Sequence, residues 1–309
     1  MTTQPRSNLT AVILPFVIFT GIWGSTWIII RDQLGSVPPQ WSVTYRFVIA
    51  AAAMAAVARV KGEKLKLDSG AWKAMLFLGI FQFFVNFNAV YLAERHITSG
   101  LVATVFALLV IPNTLLGWAF LGQRPTRRFV WGSLAAVAGM SLLFVHELQE
   151  HPGRTAAILT GIGLTLVGMT GASAANVFQA RDKVRAYPLF ALLAWSMGMG
   201  ALIDAAFALA VAGPPVIEYR FGYWAGVLYL ALFASALGFS LYFPVVRRIG
   251  PGKAAYSSVL VPIIAMGFST ALEGYRWTPL AVAGAVLALG GMLGALSRSR
   301  SLVTAPAAD

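Results

Sequence analysis

The chain contains no cysteine, which excludes disulfide scaffolds, thiolate metal sites and cysteine nucleophiles. It also has little charge, because only 11% of its 309 residues are Asp, Glu, Lys or Arg. A water-soluble domain carries about 25% charged residues, since its surface must be hydrated. Hydrophobic residues make up 58% of the chain, so lipid must be the solvent for most of its surface. We therefore expect an integral membrane protein.

Several functional classes lack their signatures in this sequence. The formal net charge is +12, but the basic residues sit in short clusters between apolar runs, so we expect no nucleic-acid partner. His96, His146 and His151 all fall in predicted loops, which argues against a buried histidine metal site. There is no G-x-x-x-x-G-K-[ST] loop and no clustered catalytic set, so we expect no cofactor and no enzymatic activity.

Long apolar runs dominate what remains. A helix that crosses a hydrocarbon core of about 30 Å needs about 20 apolar residues. Ten runs come close to that length, and Pro- or Gly-containing loops separate several of them. They predict ten transmembrane helices, numbered here as runs 1 to 10, at 10–30, 40–59, 72–92, 98–121, 127–144, 155–180, 187–212, 222–246, 253–272 and 278–296.

Lysine and arginine are distributed unevenly between the two sides of these runs. Seventeen of the 23 lie in the terminal segments and in the loops after runs 2, 4, 6 and 8, against five in the remaining loops. Short cytoplasmic loops carry an excess of Lys and Arg in membrane proteins. The bias predicts that both termini are cytoplasmic, and its alternation from loop to loop supports the count of ten.

The two halves of the chain share a pattern. Pro112 and Pro262 lie 150 residues apart within runs 4 and 9, and Gln123 and Glu273 lie 150 apart at the ends of these runs. This spacing predicts two five-helix repeats, at 1–150 and 151–309. An odd number of helices in each repeat places the two in opposite orientations, as in many secondary transporters. Chance similarity between apolar helices is the alternative.

Short motifs link the chain to a known family. They are "WGSTWIIIRD" at 23–32, "YRF" at 45–47 and, in runs 4–5 and 9–10, a mid-helix proline, a loop amide or acid and then a glycine-rich helix. In these motifs the chain resembles the EamA branch of the drug/metabolite transporter superfamily across nearly its whole length. Within this branch it looks most like the YddG-type exporters of aromatic and other neutral amino acids. Gln123 departs from the pattern, in which a glutamate is usual, whereas Glu273 keeps it.

The resemblance implies an all-α polytopic protein whose two inverted repeats surround a central cavity, with runs 5 and 10 at the back. It also implies a secondary transporter that exports amino acids or related small metabolites across the bacterial inner membrane by alternating access. A membrane-embedded enzyme and a structural or assembly subunit are the alternatives. Both a monomer and a homodimer stay open, because Gly290-x-x-x-Gly294 suits either a dimer face or packing within the chain.

Uncharged polar and aromatic side chains within the runs indicate where a small solute binds. Amides and hydroxyls suit a zwitterionic or neutral solute, and aromatic rings bind aromatic groups and ammonium ions. Hydrogen bonding between helices and core packing are the alternative roles for each residue. We expect a cavity lined by runs 1, 3, 4, 6, 8 and 9, without runs 5 and 10. The predicted substrate-binding residues are Trp23, Trp27, Gln82, Phe83, Asn86, Thr104, Phe106, Asn113, Asn176, Gln179, Tyr229, Tyr242, Tyr256 and Ser257.

Prolines and charges within the runs suggest gating and coupling. Pro112 and Pro262 each remove a helical hydrogen bond, so they predict kinks that act as a gate or that are fixed structural bends. Arg46 and Asp204 lie at similar depth with opposite charge, so they either pair or extend to the interface. Every glutamate falls in a predicted loop, leaving Asp204 as the one acid at membrane depth. We therefore expect transport down the substrate gradient unless a proton site lies elsewhere.

Overall fold

The structure, a computed structural model, describes residues 7–35, 37–254 and 257–296. Within these ranges the regular structure is helical, without a β-strand. One-turn helices at Asp182–Arg185 and Pro251–Ala254 precede the seventh and ninth long helices. The long helices are α1 Ser7–Gln33, α2 Pro39–Val60, α3 Ser69–Ala93, α4 Ser99–Leu121, α5 Arg127–Glu150, α6 Thr155–Gln179, α7 Leu189–Ala212, α8 Phe221–Ile249, α9 Ser257–Leu272 and α10 Pro279–Leu296.

The helices α1 to α8 are long and apolar enough to cross a membrane, and α9 and α10 are shorter apolar helices of 16 and 18 residues. Local signals fix several of their ends. Pro38 and Pro188 directly precede α2 and α7, and the side chain of Asp68 caps α3 by accepting a hydrogen bond from Ala71 N at 2.9 Å. Gly122 ends α4 in a left-handed conformation (φ 69°) that other residues rarely adopt. The chain is a polytopic α-helical membrane protein.

Helix α5 continues to Glu150, beyond the predicted end at 144. The expectation that every histidine and glutamate lies in a loop is therefore wrong for His146, Glu147 and Glu150. One polar residue in this last part of α5, His146, has a partner in the segment before α10. His146 Nδ1 lies 3.0 Å from Thr278 Oγ1, and both His146 and Glu147 are buried. An apolar run cannot predict such a continuation, since the residues that make it are polar.

Two helices contain a wider, π-helical segment in their middle. These segments are Gly79–Val85 in α3 and Leu230–Leu237 in α8, about 150 residues apart and each in the third helix of its half. Such segments interrupt the regular hydrogen-bond pattern and often mark functional sites. In α8 the carbonyl of Ala234 accepts a hydrogen bond at 2.9 Å from the indole Nε1 of Trp23. The segment thereby fixes a side chain of α1.

The helices pack in a pattern that is unchanged when the two halves of the chain are exchanged. Helix α1 packs against α8 and α9, and α6 packs in the same way against α3 and α4. Helix α2 packs on α7, and α5 packs on α10. Each of these last two pairs joins helices that lie five positions apart in the chain order.

The contact between α5 and α10 depends on glycines that let the two backbones touch. A Cβ atom on Gly132 would lie 2.3 Å from Ala295 N, and a Cβ on Gly139 would lie 2.3 Å from Ala288 N. In return, a Cβ on Gly284 would lie 2.8 Å from Gly139 O. Gly132 meets Ala295 and the later Gly139 meets the earlier Ala288, so the two helices are antiparallel. Small side chains at such positions are the usual means of close helix packing in lipid.

Replacing Gly291 by leucine should destabilise the protein, because a Cβ at this position would lie 2.4 Å from Ala136 N on α5. Overpacking of this kind costs about 1–3 kcal/mol. The adjacent Gly290→Leu change is a matched control, since a Cβ there would meet no described residue outside its own helix within 4 Å. The measurement is the temperature at which detergent-solubilised protein loses its monodisperse peak in size-exclusion chromatography. Equal midpoints for the two variants would contradict the packing described for α5 and α10.

Candidate binding cavity

A cavity lies between six of the long helices, α1, α3, α4, α6, α8 and α9, and Arg46 of α2 also lines it. None of its lining residues comes from the described parts of α5, α7 or α10. The lining helices are the six that sequence analysis favours, with α2 in addition. Eight of the predicted binding residues are at its wall, namely Trp23, Trp27, Gln82, Asn86, Phe106, Asn176, Tyr242 and Ser257.

The other wall residues were not predicted individually. On α1 these are Thr26 and Ile30. They lie on the same helical face as Trp23 and Trp27, because the four residues follow the spacing i, i+3, i+4, i+7. The spacing in the sequence could therefore have predicted both of them. The rest are mostly apolar and look like core residues in a sequence: Phe87, Val90, Ala103, Ala107, Leu109, Ala172, Phe239 and Val261.

Aromatic rings form much of one wall. The ring centroid of Trp23 lies 4.9 Å from that of Tyr242 and 5.4 Å from that of Phe239. Further along α1, the ring of Trp27 lies 5.7 Å from that of Phe106 on α4. Tilted pairs at these distances are favourable arrangements for aromatic groups. The wall is therefore suited to an aromatic or other apolar part of a solute.

Amide groups supply the polar part of the cavity. Gln82, Asn86 and Asn176 are all less than 5% exposed, yet the oxygens Gln82 Oε1, Asn86 Oδ1 and Asn176 Oδ1 lack hydrogen-bond partners among the described residues. A buried amide oxygen without a partner costs about 1–3 kcal/mol. These oxygens can accept hydrogen bonds from a bound solute, and an ammonium group supplies three donors.

Arg46 and Asp204 are both buried, but they do not form the expected salt bridge. Arg46 Nε donates to Ser235 Oγ at 2.9 Å, whereas an oxygen of Asp204 accepts a hydrogen bond from Asn88 Nδ2. No ion pair between the two was found among the described residues. Sequence position sets the depth of a residue in the membrane but not the neighbour its side chain faces. Extension to the interface is also excluded, since Arg46 is 2% exposed and Asp204 0%.

Five predicted binding residues lie elsewhere. Phe83 packs behind the wall against Phe47 and Phe239, and Thr104 donates to the carbonyl of Gly100 at 2.7 Å. Tyr229 shares a hydrogen bond of 2.7 Å with Ser25. Asn113 and Gln179 belong to one end of the cavity, described below.

The three remaining predicted residues are a tyrosine and two prolines. Tyr256 lies outside the described residues. Pro112 follows a short 3-10 segment, Ala107–Leu109, in the middle of α4. Pro262 lies within α9 and lines a separate pocket between α4, α9 and α10. Neither proline lines the central cavity.

A cluster of hydrogen bonds around one carboxylate lies beside one end of the cavity. Just beyond Ile30 and Ala103, the carboxylate of Glu273 accepts hydrogen bonds from the backbone N–H and the hydroxyl of Ser99 at the start of α4, and from the hydroxyl of Ser269 on α9. Arg31 Nε lies 3.6 Å from Glu273 Oε1. This set, Arg31, Ser99, Ser269 and Glu273, is called the carboxylate closure.

Glu94 lies next to this closure and is 0% exposed. Neither oxygen of its carboxyl has a hydrogen-bond partner among the described residues, and Arg31 donates to its backbone carbonyl instead. Burial and the nearby Glu273 carboxylate raise the pKa of Glu94 well above its ordinary value, and the opposing effects of Arg31 and Arg46 are smaller. Glu94 lies in the predicted loop directly after α3, so it leaves Asp204 as the acid expected at membrane depth, but it adds a second fully buried acid near the cavity. Whether transport is downhill stays a prediction.

A second cluster of contacts, made by uncharged amides, lies near the other end of the cavity. Asn113 Nδ2 of α4 lies 3.5 Å from the carbonyl of Pro251 before α9, and Asn176 Nδ2 of α6 lies 3.4 Å from Asn113 Oδ1. This set, Asn113, Asn176 and Pro251, is called the amide closure. Beside it, Arg247 Nη2 donates to Gln179 Oε1 at 3.1 Å. Gln123 at the end of α4 also faces this region, because a Cβ on Gly250 would lie 3.6 Å from its amide group.

Comparison with known proteins identifies the family. The model of the EamA-like transporter family matches the chain twice, over residues 10–145 and 159–297. The chain belongs to the EamA-like transporter family. It therefore falls within the drug/metabolite transporter superfamily, as its motifs suggest. Membership favours a transporter of small metabolites over the membrane enzyme considered above.

Individual relatives agree with the family. The chain is 26% identical over 255 residues to the uncharacterized inner membrane transporter YedA of Escherichia coli K12, covering 82% of this chain and 80% of that one. It is 25% identical over 280 residues to a probable amino-acid metabolite efflux pump of Salmonella typhimurium, covering 88% and 90%. A crystal structure of a protein 17% identical in sequence has the same fold, with a TM-score of 0.70 over 94% of this chain and 98% of that one. This member of the family is a multi-pass protein of the bacterial inner membrane.

Single cysteines should distinguish the cavity from the lipid-facing surface, and the natural chain has no cysteine that would interfere. Ser257 lines the cavity, whereas Ala138 on α5 and Leu287 on α10 are exposed on the outside of the bundle, away from it. We expect Ser257→Cys to react with a small water-soluble thiol reagent in membranes, at a rate at least about tenfold above Ala138→Cys and Leu287→Cys, because thiolates form poorly in lipid. Mass spectrometry of the labelled protein gives the rates. Rapid labelling at 138 or 287 would show that α5 or α10 borders the aqueous path.

Proposed function

We propose that this transporter exports amino acids with aromatic and other neutral side chains by alternating access through the central cavity. The observation that carries the proposal is the presence, in one cavity, of buried amide oxygens without partners and of a wall of aromatic rings. The amide oxygens suit an ammonium group, and the rings suit both this cation and an apolar side chain. The name of the Salmonella relative, a probable amino-acid metabolite efflux pump, supports both the solute class and the direction.

We also propose that all ten long helices span the membrane as two inverted repeats, 1–150 and 151–309, with both termini in the cytoplasm. Two matches to one family model, one in each half, support the duplication. The reciprocal glycine contacts of α5 and α10 support an axis that exchanges the halves, since each helix meets the other at corresponding positions. The excess of Lys and Arg in alternate loops supports the orientation.

In this orientation the carboxylate closure is the external gate and the amide closure is the internal gate. Both gates join α4 to the neighbourhood of α9: one joins the start of α4 to the residue after the end of α9, and the other joins Asn113, within α4, to the segment before α9. Alternating access requires that one gate opens while the other stays closed. The external gate is held by hydrogen bonds to a charged group, which are worth about 1.5–3 kcal/mol each, against about 0.5–1.5 for neutral pairs. We expect the external gate to be the more tightly held of the two.

Glu273→Gln should open the external gate more often, because it removes the charge that Ser99, Ser269 and Arg31 compensate. The readout is labelling of Ala103→Cys, at the cavity wall, by a membrane-impermeant thiol reagent added outside right-side-out vesicles. We expect the rate to rise about tenfold, which corresponds to about 1.4 kcal/mol. Glu150→Gln is the control, since Glu150 is an exposed acid near the same end of the protein. If Glu273→Gln leaves the rate unchanged, Glu273 does not hold the gate closed.

The function itself is tested with purified protein in proteoliposomes loaded with unlabelled solute. We expect counterflow of radiolabelled phenylalanine, tryptophan and methionine well above that of aspartate and lysine, whose charged side chains would face the aromatic wall. Each assay is run with and without a proton gradient, to test whether transport is downhill. Absence of counterflow for every amino acid would refute the proposed solute class. Absence for every small solute tested would favour the structural or assembly subunit instead.

A further inference from the structure

We infer that Arg46 is the binding residue for the carboxylate of the transported solute, so that the cavity selects molecules that carry both a carboxylate and an ammonium group. This inference rests on the proposed role of the cavity as the solute site. Nothing in the family comparison assigns a role to Arg46. The inference extends the proposed function, because it identifies the carboxylate as a group that every transported solute must carry.

The charge of Arg46 is not balanced within the cavity. Arg46 is the single charged side chain among the described residues that line it, and it is only 2% exposed. Its Nη1 atom has no hydrogen-bond partner among the described residues. Asp204 is bonded to Asn88, and Glu273 lies within 4 Å of Arg31, so these two acids have other partners. Glu94 attracts Arg46 electrostatically, but no ion pair joins the two among the described residues. A buried guanidinium without a directly paired counter-ion is costly, which favours an anionic ligand.

The guanidinium is also held in one orientation. Ser235 in the π-helical segment of α8 accepts from Arg46 Nε at 2.9 Å. The ring of Phe87 lies 4.4 Å from the guanidinium carbon, and that of Phe47 lies 5.4 Å from it. Contacts of this kind fix the plane of an arginine. Tyr91 also forms a hydrogen bond with the Arg46 side chain, and Nη1 is left without a partner among the described residues. The planar fork of an arginine matches the two oxygens of a carboxylate, which a lysine ammonium does not.

The same cavity contains the complement for the other end of an amino acid. The amide oxygens of Gln82, Asn86 and Asn176 lack partners and are all acceptors, so they suit an ammonium group and repel a second carboxylate. A solute with a carboxylate at Arg46 and an ammonium at these oxygens places its side chain against the aromatic wall. This arrangement excludes amines, amino-acid amides and dicarboxylates from tight binding.

The first test uses the unaltered protein, which avoids any effect of mutation on folding. Phenylalanine, phenylalaninamide, phenethylamine and 3-phenylpropionate are compared as inhibitors of phenylalanine counterflow in proteoliposomes. Because a site built for a polar group strongly rejects analogues that lack it, we expect phenylalaninamide and phenethylamine to inhibit at least about 100-fold more weakly than phenylalanine. Inhibition by phenylalaninamide equal to that by phenylalanine would overturn the role of Arg46 and leave the proposed amino-acid transport intact.

The second test changes Arg46 and reads selectivity as well as rate. We expect Arg46→Gln to reduce the ratio of phenylalanine to phenylalaninamide affinity from at least about 100 towards about 1, and Arg46→Lys to give an intermediate ratio, because lysine keeps the charge without the fork. Arg95→Gln, at an exposed arginine outside the cavity, is the control and should leave the ratio unchanged. A structural role for Arg46 would lower transport of both compounds and leave their ratio as it is, which would contradict the inference.

The outcomes separate this inference from the proposed function. If no amino acid is transported but 3-phenylpropionate is, and Arg46→Gln abolishes this transport, then Arg46 binds carboxylates and the proposed solute class is wrong. A different outcome is that amino acids are transported while chloride at physiological concentration, and not the carboxylate of the solute, neutralises Arg46. Phenylalaninamide will then inhibit phenylalanine counterflow as strongly as phenylalanine does. In that case the inference about Arg46 fails on its own.

Discussion

Hydrocarbon offers no hydrogen-bond partners, so each polar group in a membrane-spanning helix must find one inside the protein or face a cavity. This constraint explains much of the placement seen here. Asp204 bonds to Asn88, Arg46 to Ser235 and Trp23 to a backbone carbonyl of α8, each across a contact between helices. Among the groups that are left without a partner are the amide oxygens of the central cavity. In the proposed scheme, groups that the packing of the helices leaves unsatisfied form the site for a polar solute.

The sequence predicts which helices surround the cavity, because the polar and aromatic residues concentrate on runs 1, 3, 4, 6, 8 and 9. It predicts single residues less well, since position along a helix sets depth but the rotation of the helix depends on its neighbours. Trp23 and Trp27 could be placed because their spacing defines a face, whereas Asn113 and Gln179 have the same chemistry as Asn86 yet lie in the amide closure and beside it. The π-helical segments of α3 and α8 have no signal in composition or periodicity. Their positions follow from packing.

If the two halves are inverted repeats, as proposed, the differences between them are informative. Exchange of the halves relates the end of α9 to the end of α4, and so relates Glu273 to Gln123. Glu273 holds its end with a charged group that accepts three hydrogen bonds, whereas Gln123 faces Gly250 with a neutral amide. With identical gates the two states of an inverted-repeat transporter would have similar free energies. In the proposed scheme, a charged closure at one end and a neutral one at the other makes the two states unequal.

A single cation in an otherwise uncharged cavity affects both the loaded and the empty transporter. Closing the gates around an unpaired guanidinium costs several kcal/mol, and a bound carboxylate reduces this cost. The proposed role of Arg46 therefore favours closure around a solute over closure around an empty cavity. The empty protein must nevertheless return to its starting orientation. When no solute is bound, the hydrogen bond to Ser235 and the ring of Phe87 compensate part of the charge of Arg46. A second cation in the cavity would bind the solute more tightly and would also make the empty return more costly, so one partly compensated arginine fits a carrier that must both hold and release its solute.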